Sequence, residues 1–435
     1  MDSDSVVILH VYAEHPDYHW VAAPSEGIAC VDDAARAAVI LLRSASCTGD
    51  TSRLRLAKGL LRFVLKLQAG DGEFYNFVDQ SLSINTTSLT SRKGFGFSAA
   101  RAYWALAAGY RFFRTRDSTF AKELHMRFLR SLDPLRKTLS RYGHWTNIGG
   151  RLYPRWLLQE YAADATSEFL LGLNEFLQAE KHAEIEMAAR KLAEGLVAMQ
   201  LEDSASYAGA FLSWPGLWHA WGNAQTQALA AIGRTLGDIQ MVRAAQREAR
   251  QFLPRLLVEG WRREVRIDGA AEPAEFPQIA YDIRCTSLGL LSVAEATGDT
   301  NFAVLAGLAA SWLLGNNVAG VVMYDELTGR CYDGIESPLK VNRNSGAEST
   351  VEALATLVEV LHHPAVRRYL TCHTDVRHRG PRRQHPIPCT CRSFSNADSL
   401  VVTICYDPTR LDFTATVCRM TDGDSPGDPR YHEPD

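Results

Sequence analysis

The sequence predicts an all-α chain whose helices pair into six hairpins and close as an (α/α)6 barrel, followed by an irregular tail holding a short β-hairpin. Three observations predict it. Helical stretches recur about every 60 residues, which marks a repeated unit. The two helices of each unit differ in polarity. The links between units are much longer than the turns within them.

The first helices are expected to begin near Asp33, Phe97, Asp164, Asn223, Asp282 and Ala347. Short breaks such as Thr48-Gly49-Asp50, Leu236-Gly237-Asp238 and Thr297-Gly298-Asp299 separate each from its partner. Gly suits a helix C-cap and Asp the next N-cap, so these are tight helix–helix turns. The run Ala34–Leu42 is apolar nearly all round, which implies burial on every side. The next helix carries Arg55, Lys58, Arg62 and Lys66 on one stripe and Leu56, Leu60, Leu61, Val64 and Leu67 on the other, so it faces solvent on one side only. Residues 300–314 depart from this contrast because they carry almost no charge. An open superhelix of pairs is the competing architecture, and six pairs favour closure.

This gives a lead-in segment over residues 1–27, the barrel over 28–370 and the tail over 371–435. Thr371 to Arg392 is rich in Arg, His and Pro and is expected to be irregular. Ser399–Cys405 and Leu411–Cys418, separated by Asp407-Pro408, form the expected hairpin. The barrel is expected to fold without the residues after about 370.

Composition narrows the function classes. Lys+Arg 46 against Asp+Glu 50 gives a net charge of −4, so no global basic field exists to hold nucleic acid or an anionic membrane. No stretch reaches the roughly 18 apolar residues of a membrane helix. The acidic start Met1-Asp2-Ser3-Asp4-Ser5 lacks the features of a secretory signal, so a cytoplasmic location is expected. Nine cysteines, five of them at 372, 389, 391, 405 and 418, do not make a disulfide framework, and reduced thiols are expected. Cys372, His373, His385, Cys389 and Cys391 fit no standard zinc spacing, so neither a metal nor a cofactor is expected.

The long links, about 70–95, 138–155, 201–221, 258–280 and 315–345, each end at the start of an inner helix and so gather at one mouth. They bring Glu73, Tyr75, Asn76, Trp145, Trp218, His219, Tyr324, Asp325, Tyr332 and Asp333. The helix starts add Asp32, Asp33, Tyr161, Asp164, Asn223, Gln225, Tyr281, Asp282, Asn342, Asn344 and Glu348, with Glu26 just before the first helix. Aromatic rings stack on the CH faces of a sugar while amides and carboxylates bond its hydroxyls, so the expected partner is an oligosaccharide or polysaccharide. Closing the ring makes pair one and pair six neighbours, which brings Asp32 and Asp33 beside Glu348. Cleaving a glycosidic bond needs two such carboxyls, one protonated and one acting as base or nucleophile. Asp164, Asp282, Asp325, Asp333, Glu26 and Glu73 are further candidates for either role.

Several segments resemble bacterial proteins of the six-hairpin glycosidase superfamily. They are Glu26-Gly27-Ile28-Ala29-Cys30-Val31-Asp32-Asp33-Ala34-Ala35-Arg36, Trp312-Leu313-Leu314-Gly315-Asn316-Asn317, Thr328-Gly329-Arg330-Cys331-Tyr332-Asp333-Gly334 and Val341-Asn342-Arg343-Asn344-Ser345-Gly346-Ala347-Glu348. The resemblance spans about residues 10–370 and implies a carbohydrate-active enzyme. In hydrolases of that group, such as the family 9 endoglucanases, an Asp pair near the first helix is the base and a Glu near the last is the acid. By that similarity Asp33 or Asp32 is the base and Glu348 the acid. Similar domains sometimes accompany glycosyltransferases, which makes a non-catalytic carbohydrate-binding or scaffold domain, with a glycosyltransferase as partner, one alternative.

A sugar epimerase of the same barrel would need a His pair in the cavity, and only His144 and His219 lie in mouth links. A uronate lyase would draw on Tyr161, Tyr281, Arg284 and His219. Terpene cyclases and protein prenyltransferases also pair helices, but Asp32-Asp33 without a third Asp is poor support for either.

Overall fold

Capping chemistry sets the helix boundaries. The computed structural model describes residues 5–203, 206–269, 271–374 and 389–419. The acidic start at 1–4, His385 and the rest of 375–388, and the end from 420 lie outside the described residues. The first pair is α1 (Val31–Thr48) and α2 (Thr51–Lys66). Gly49, at φ 70°, ends α1, and Asp50 accepts Ser52 N–H at 2.8 Å to begin α2. Four pairs follow. They are α3 (Phe97–Phe113) with α4 (Ser118–Leu129) and its continuation α5 (Leu132–Leu139); α6 (Ala163–Ala179) with α7 (Ala183–Ala198); α8 (Gln225–Leu236) with α9 (Ile239–Gln251) and α10 (Leu253–Val258); and α11 (Ala280–Thr297) with α12 (Thr300–Ala310). The sixth is α13 (Ala347–His362) with the stub α14 (Pro364–Arg367). Asp117, Asp238 and Asp299 cap α4, α9 and α12 through their side chains.

The ring closes. α1 packs on α3, α3 on α6, α6 on α8, α8 on α11, α11 on α13, and α13 back on α1. These inner helices are buried along most of their length, as their apolar circumference requires. In α2 the outward stripe is solvated and Leu60, Leu61 and Val64 are buried, although Leu56 is exposed rather than packed. The long links carry small two-stranded pairings, such as Trp145–Ile148 with Arg151–Pro154 and Leu217–His219 with Glu264–Arg266. Among the described residues no helix is long and apolar enough to cross a membrane.

The C-terminal region differs from the expectation of an irregular tail with one hairpin. The hairpin is present as Leu400–Asp407 paired with Asp412–Arg419, but two further strands, Thr390–Ser395 and His373–Thr374, extend it to a four-stranded antiparallel sheet. These polar strands are held by backbone pairing and one buried ring, Phe394, rather than by an apolar alternation visible in sequence. The sheet packs on α9, α10 and α12. Cys391 and Cys405 face each other in register and are joined by a disulfide, which corrects the expectation of reduced thiols for this pair. Direct cross-strand opposition, invisible in the spacing of 14 residues, brings the two sulfurs together.

Candidate active site

The seam between pair one and pair six holds a cleft of about 260 Å³. Asp32 and Asp33 enter it from the first turn of α1, Glu348 and Ser349 from the first turn of α13, and Asp333 from the link before α13. Arg36 lies one turn into α1 and touches both sides. Its Nη2 sits 2.7 Å from Asp33 Oδ1 and 3.4 Å from Glu348 Oε2, and its Nη1 bonds Glu352. Arg36 Nη2 thus bridges the two carboxylates, and the two oxygens that it touches are at most about 6 Å apart. Asp32 pairs with Arg101 of α3 at 3.0 Å and accepts Asn76 Nδ2 at 3.1 Å, while Asn76 Oδ1 accepts Asp32 N–H.

Burial separates the two sides of the cleft. Asp33 is buried, and that burial pushes its carboxyl up to about 6 despite the opposing pull of Arg36; the nearby Glu348 adds to the rise. Cys30, whose thiol donates to Asp33 Oδ2 at 3.2 Å, favours the ionised form only slightly. The Glu348 side chain is half-exposed across from it. Asp333 is also raised by burial, although it accepts Gly346 N–H at 2.7 Å and Ser349 Oγ–H at 2.6 Å.

Beneath the cleft the barrel axis is filled by charge. Arg36 and Arg284 flank Glu352, Arg284 pairs with Glu168, and Tyr281 donates to Glu168 at 3.1 Å while receiving Arg101. Burial alone would raise Glu168, but the guanidiniums of Arg284, Arg101 and Arg36 outweigh it and hold it below the ordinary range. This layer draws on α1, α3, α6, α11 and α13, so it ties the cleft carboxyls to five of the six inner helices.

The other expected residues are dispersed. Asp164 and His219 form a fully buried pair at 3.1 Å, with Trp214 Nε1 donating to the same carboxylate oxygen and Trp221 stacked on the imidazole. Trp218 packs edge-on against Phe252, and Asn223 and Gln225 bond backbone carbonyls of residues 211 and 212; all three are buried in the wall rather than presented to the cleft. Asp282 is likewise buried. One oxygen caps α11 by accepting Ile279 N–H, the other has no partner among the described residues, and burial pushes the carboxyl up to about 8. Tyr281 belongs to the axial layer. Tyr161 bonds Thr146, and Trp145 is an exposed ring against Trp156.

Glu26 reaches Thr90, and Glu73 and Tyr75 are half-buried in the link around Asp71 and Lys93. Tyr324 and Asp325 form a small turn closed by Thr328, and Tyr332 lies under Arg343. Asn342 and Asn344 organise the link before α13; Asn344 Oδ1 accepts His15 N–H at 3.0 Å.

Sequence reasoning missed Arg36, Arg101, Glu168 and Glu352, and it missed Tyr12 of the lead-in segment, which lines the cleft. A signal existed for the first four. Each is a charged side chain flanked by apolar residues in the buried part of an inner helix, and a charge buried that way must find a partner. A larger cavity, about 700 Å³, lies between residues 258–262 and the C-terminal sheet. Its carboxylates, Glu259 and Glu275, are exposed and tied to Arg255 and Arg262, so no opposed acid pair forms there. Among the described residues no group of three or more His, Cys, Asp or Glu is placed to hold a metal ion.

No protein-family profile matches the chain, and no curated protein matches it. Solved structures do. A cellobiose 2-epimerase from Bacillus thermoamylovorans B4167 aligns with TM-score 0.57 at 12% identity over 82% of this chain and 93% of its own. A sugar epimerase from a ruminal bacterium gives the same values. A D-mannose isomerase aligns with TM-score 0.56 at 12% identity, covering 83% and 92%. At such identities the likeness is one of fold: the chain shares with these proteins a closed (α/α)6 barrel of paired helices.

Proposed function

We propose that the chain is a carbohydrate-active enzyme that cleaves glycosidic bonds with Asp33 and Glu348, assisted by Asp32. The observation that carries this is the meeting of acidic groups from the first and last helix pairs in one cleft, joined by Arg36. Asp33 keeps its proton to about pH 6 because it is buried. It is therefore the general acid that protonates the leaving oxygen, and the half-exposed Glu348 is the base or nucleophile. These roles are the reverse of those the resemblance implies. With Glu348 as nucleophile the anomeric configuration is retained through a glycosyl–Glu348 intermediate, and with Glu348 as base it is inverted, so the product anomer decides between them.

The test is hydrolysis of a panel of oligosaccharides by the wild type, Asp33→Asn and Glu348→Gln, with product anomers followed by NMR. Each substitution is expected to lower kcat/KM by about 10²–10⁴-fold. Activity with Asp33 as acid should fall as pH rises through about 6. A rate that climbs through that pH would return Asp33 to the role of base, and unchanged turnover in both variants would end the hydrolytic reading.

A second reading, 2-epimerisation or isomerisation of a reducing sugar, is supported by the activities of the aligned epimerases and isomerase. It would need an acid/base His pair, and His219 is locked inside the wall by Asp164 and Trp221. Incubation with cellobiose or mannose in heavy water separates the two readings, since epimerisation or isomerisation through proton abstraction beside the carbonyl carries deuterium onto carbon and hydrolysis does not.

A further inference from the structure

The cleft is not made by the barrel alone. The lead-in segment crosses the seam between pair one and pair six, where Ala13 and Val11 carbonyls accept Ser345 and Ala347 N–H at 2.9 Å and Val11 N–H reaches Ile28 at 3.0 Å. This fixes Tyr12 against the site. A Cβ on Gly346 would lie in ordinary contact with the Tyr12 ring, at 3.5 Å, and more tightly against Val11 O, at 3.1 Å, so the segment lies close over the start of α13. The ring is exposed at 46% of its surface, and among the described residues no hydrogen bond is made by its hydroxyl. Burial, Glu26, Glu348, Asp33 and Asp333 together hold the phenol protonated, so it can only donate or accept as a neutral group.

The charges that line the cleft are equally informative. Its two guanidiniums are almost wholly covered, Arg36 at 3% and Arg101 at 5% exposure. Arg36 is committed to Asp33, Glu348 and Glu352, and Arg101 to Asp32 and Tyr281. Four carboxyls, Asp32, Asp33, Asp333 and Glu348, share the same walls. Among the described residues a sugar carboxylate would find no cation lining the cleft that is not already paired with a carboxylate, and it would meet repulsion from the acids.

We infer that the cleft accepts a neutral saccharide and excludes uronates, and that Tyr12 contacts this sugar by donating its free hydroxyl. The inference rests on the carbohydrate reading above but not on hydrolysis. The experiment measures binding by calorimetry in the Glu348→Gln protein, with and without Tyr12→Phe. The probes are neutral α- and β-linked gluco- and manno-oligosaccharides of two to six units, and oligogalacturonate and oligoglucuronate of the same lengths.

At least one neutral probe is expected to bind and no uronate. Tyr12→Phe should weaken that binding about 5–15-fold, the worth of one neutral hydrogen bond, with an unchanged thermal transition. Tighter binding of a uronate, no binding of any probe, or equal affinity in the Tyr12→Phe protein would overturn the inference. Neutral binding without cleavage by the wild type would support it while removing the hydrolytic reading. Cleavage of a uronate chain would do the reverse.

Discussion

At the scale of single residues, the inner-helix starts hold carboxyls with different tasks. Asp282 occupies the same place on α11 that Asp33 occupies on α1, yet among the described residues it has no cation within bonding distance and one oxygen without a partner. Its proton stays on to about pH 8 in the folded chain, whereas the unfolded chain releases it near 3.9. The folded state therefore binds more protons between those values, and stability falls as pH rises across that window. Asp282→Asn keeps an oxygen for Ile279 N–H and removes the buried charge. It is expected to stabilise the protein at pH 8, by on the order of 2–5 kcal/mol, and to change little at pH 4. Chemical denaturation at both pH values checks this, and equal effects at the two would show that ionisation is not the cause. In sequence both are Asp at a helix start, and only the closing of the ring beside Glu348 put Asp33 ahead of Asp282. What distinguishes them in the structure is Arg36, one turn beyond Asp33, whose guanidinium pairs with it at 2.7 Å.

At the scale of elements, the helix pairs were legible because short-range chemistry fixes them. Gly49-Asp50, Gly237-Asp238 and Gly298-Asp299 act as C-cap and N-cap in the places the breaks suggested. The expected helix starts fall within two residues of those observed. Close approach between helices was not legible. α3 and α6 cross at Gly172, where a Cβ would meet the Trp104 backbone N and Cα at 2.9 Å. Backbone cannot swing aside as a side chain can. Gly172→Ala is expected to cost about 1–3 kcal/mol despite its gain in helix propensity, because the pair must separate. Gly70→Ala, where nothing lies within 4 Å, is the control and should leave the melting temperature nearly unchanged. A neutral Gly172→Ala would mean that the α3–α6 contact is looser than its geometry.

At the scale of the whole molecule, the uncharged character of residues 300–314 was the one visible sign that the tail belongs to the fold. An outer helix normally keeps a solvated stripe, and α12 has none because neighbouring helices and the C-terminal sheet together cover it. Phe413 packs against Phe302 of α12, Tyr406 donates to Gln251 O at 2.7 Å, and Arg250 pairs with Asp412 at 3.1 Å. The cover also compensates for the sixth pair, whose outer helix α14 is too short to shield its neighbours. Truncation after Leu370, expected from sequence to be harmless, would uncover α12 and α10 together. The shortened chain should melt well below the full one and expose enough apolar surface to aggregate. Because a truncated chain that fails to fold says little about any one contact, Phe413→Ala supplies the graded measurement. Removing that ring should cost about 3 kcal/mol, the usual loss for a buried Phe. If both proteins instead melt like the wild type, the sheet is an appendage, and the apolar face of α12 must be stable in water without it.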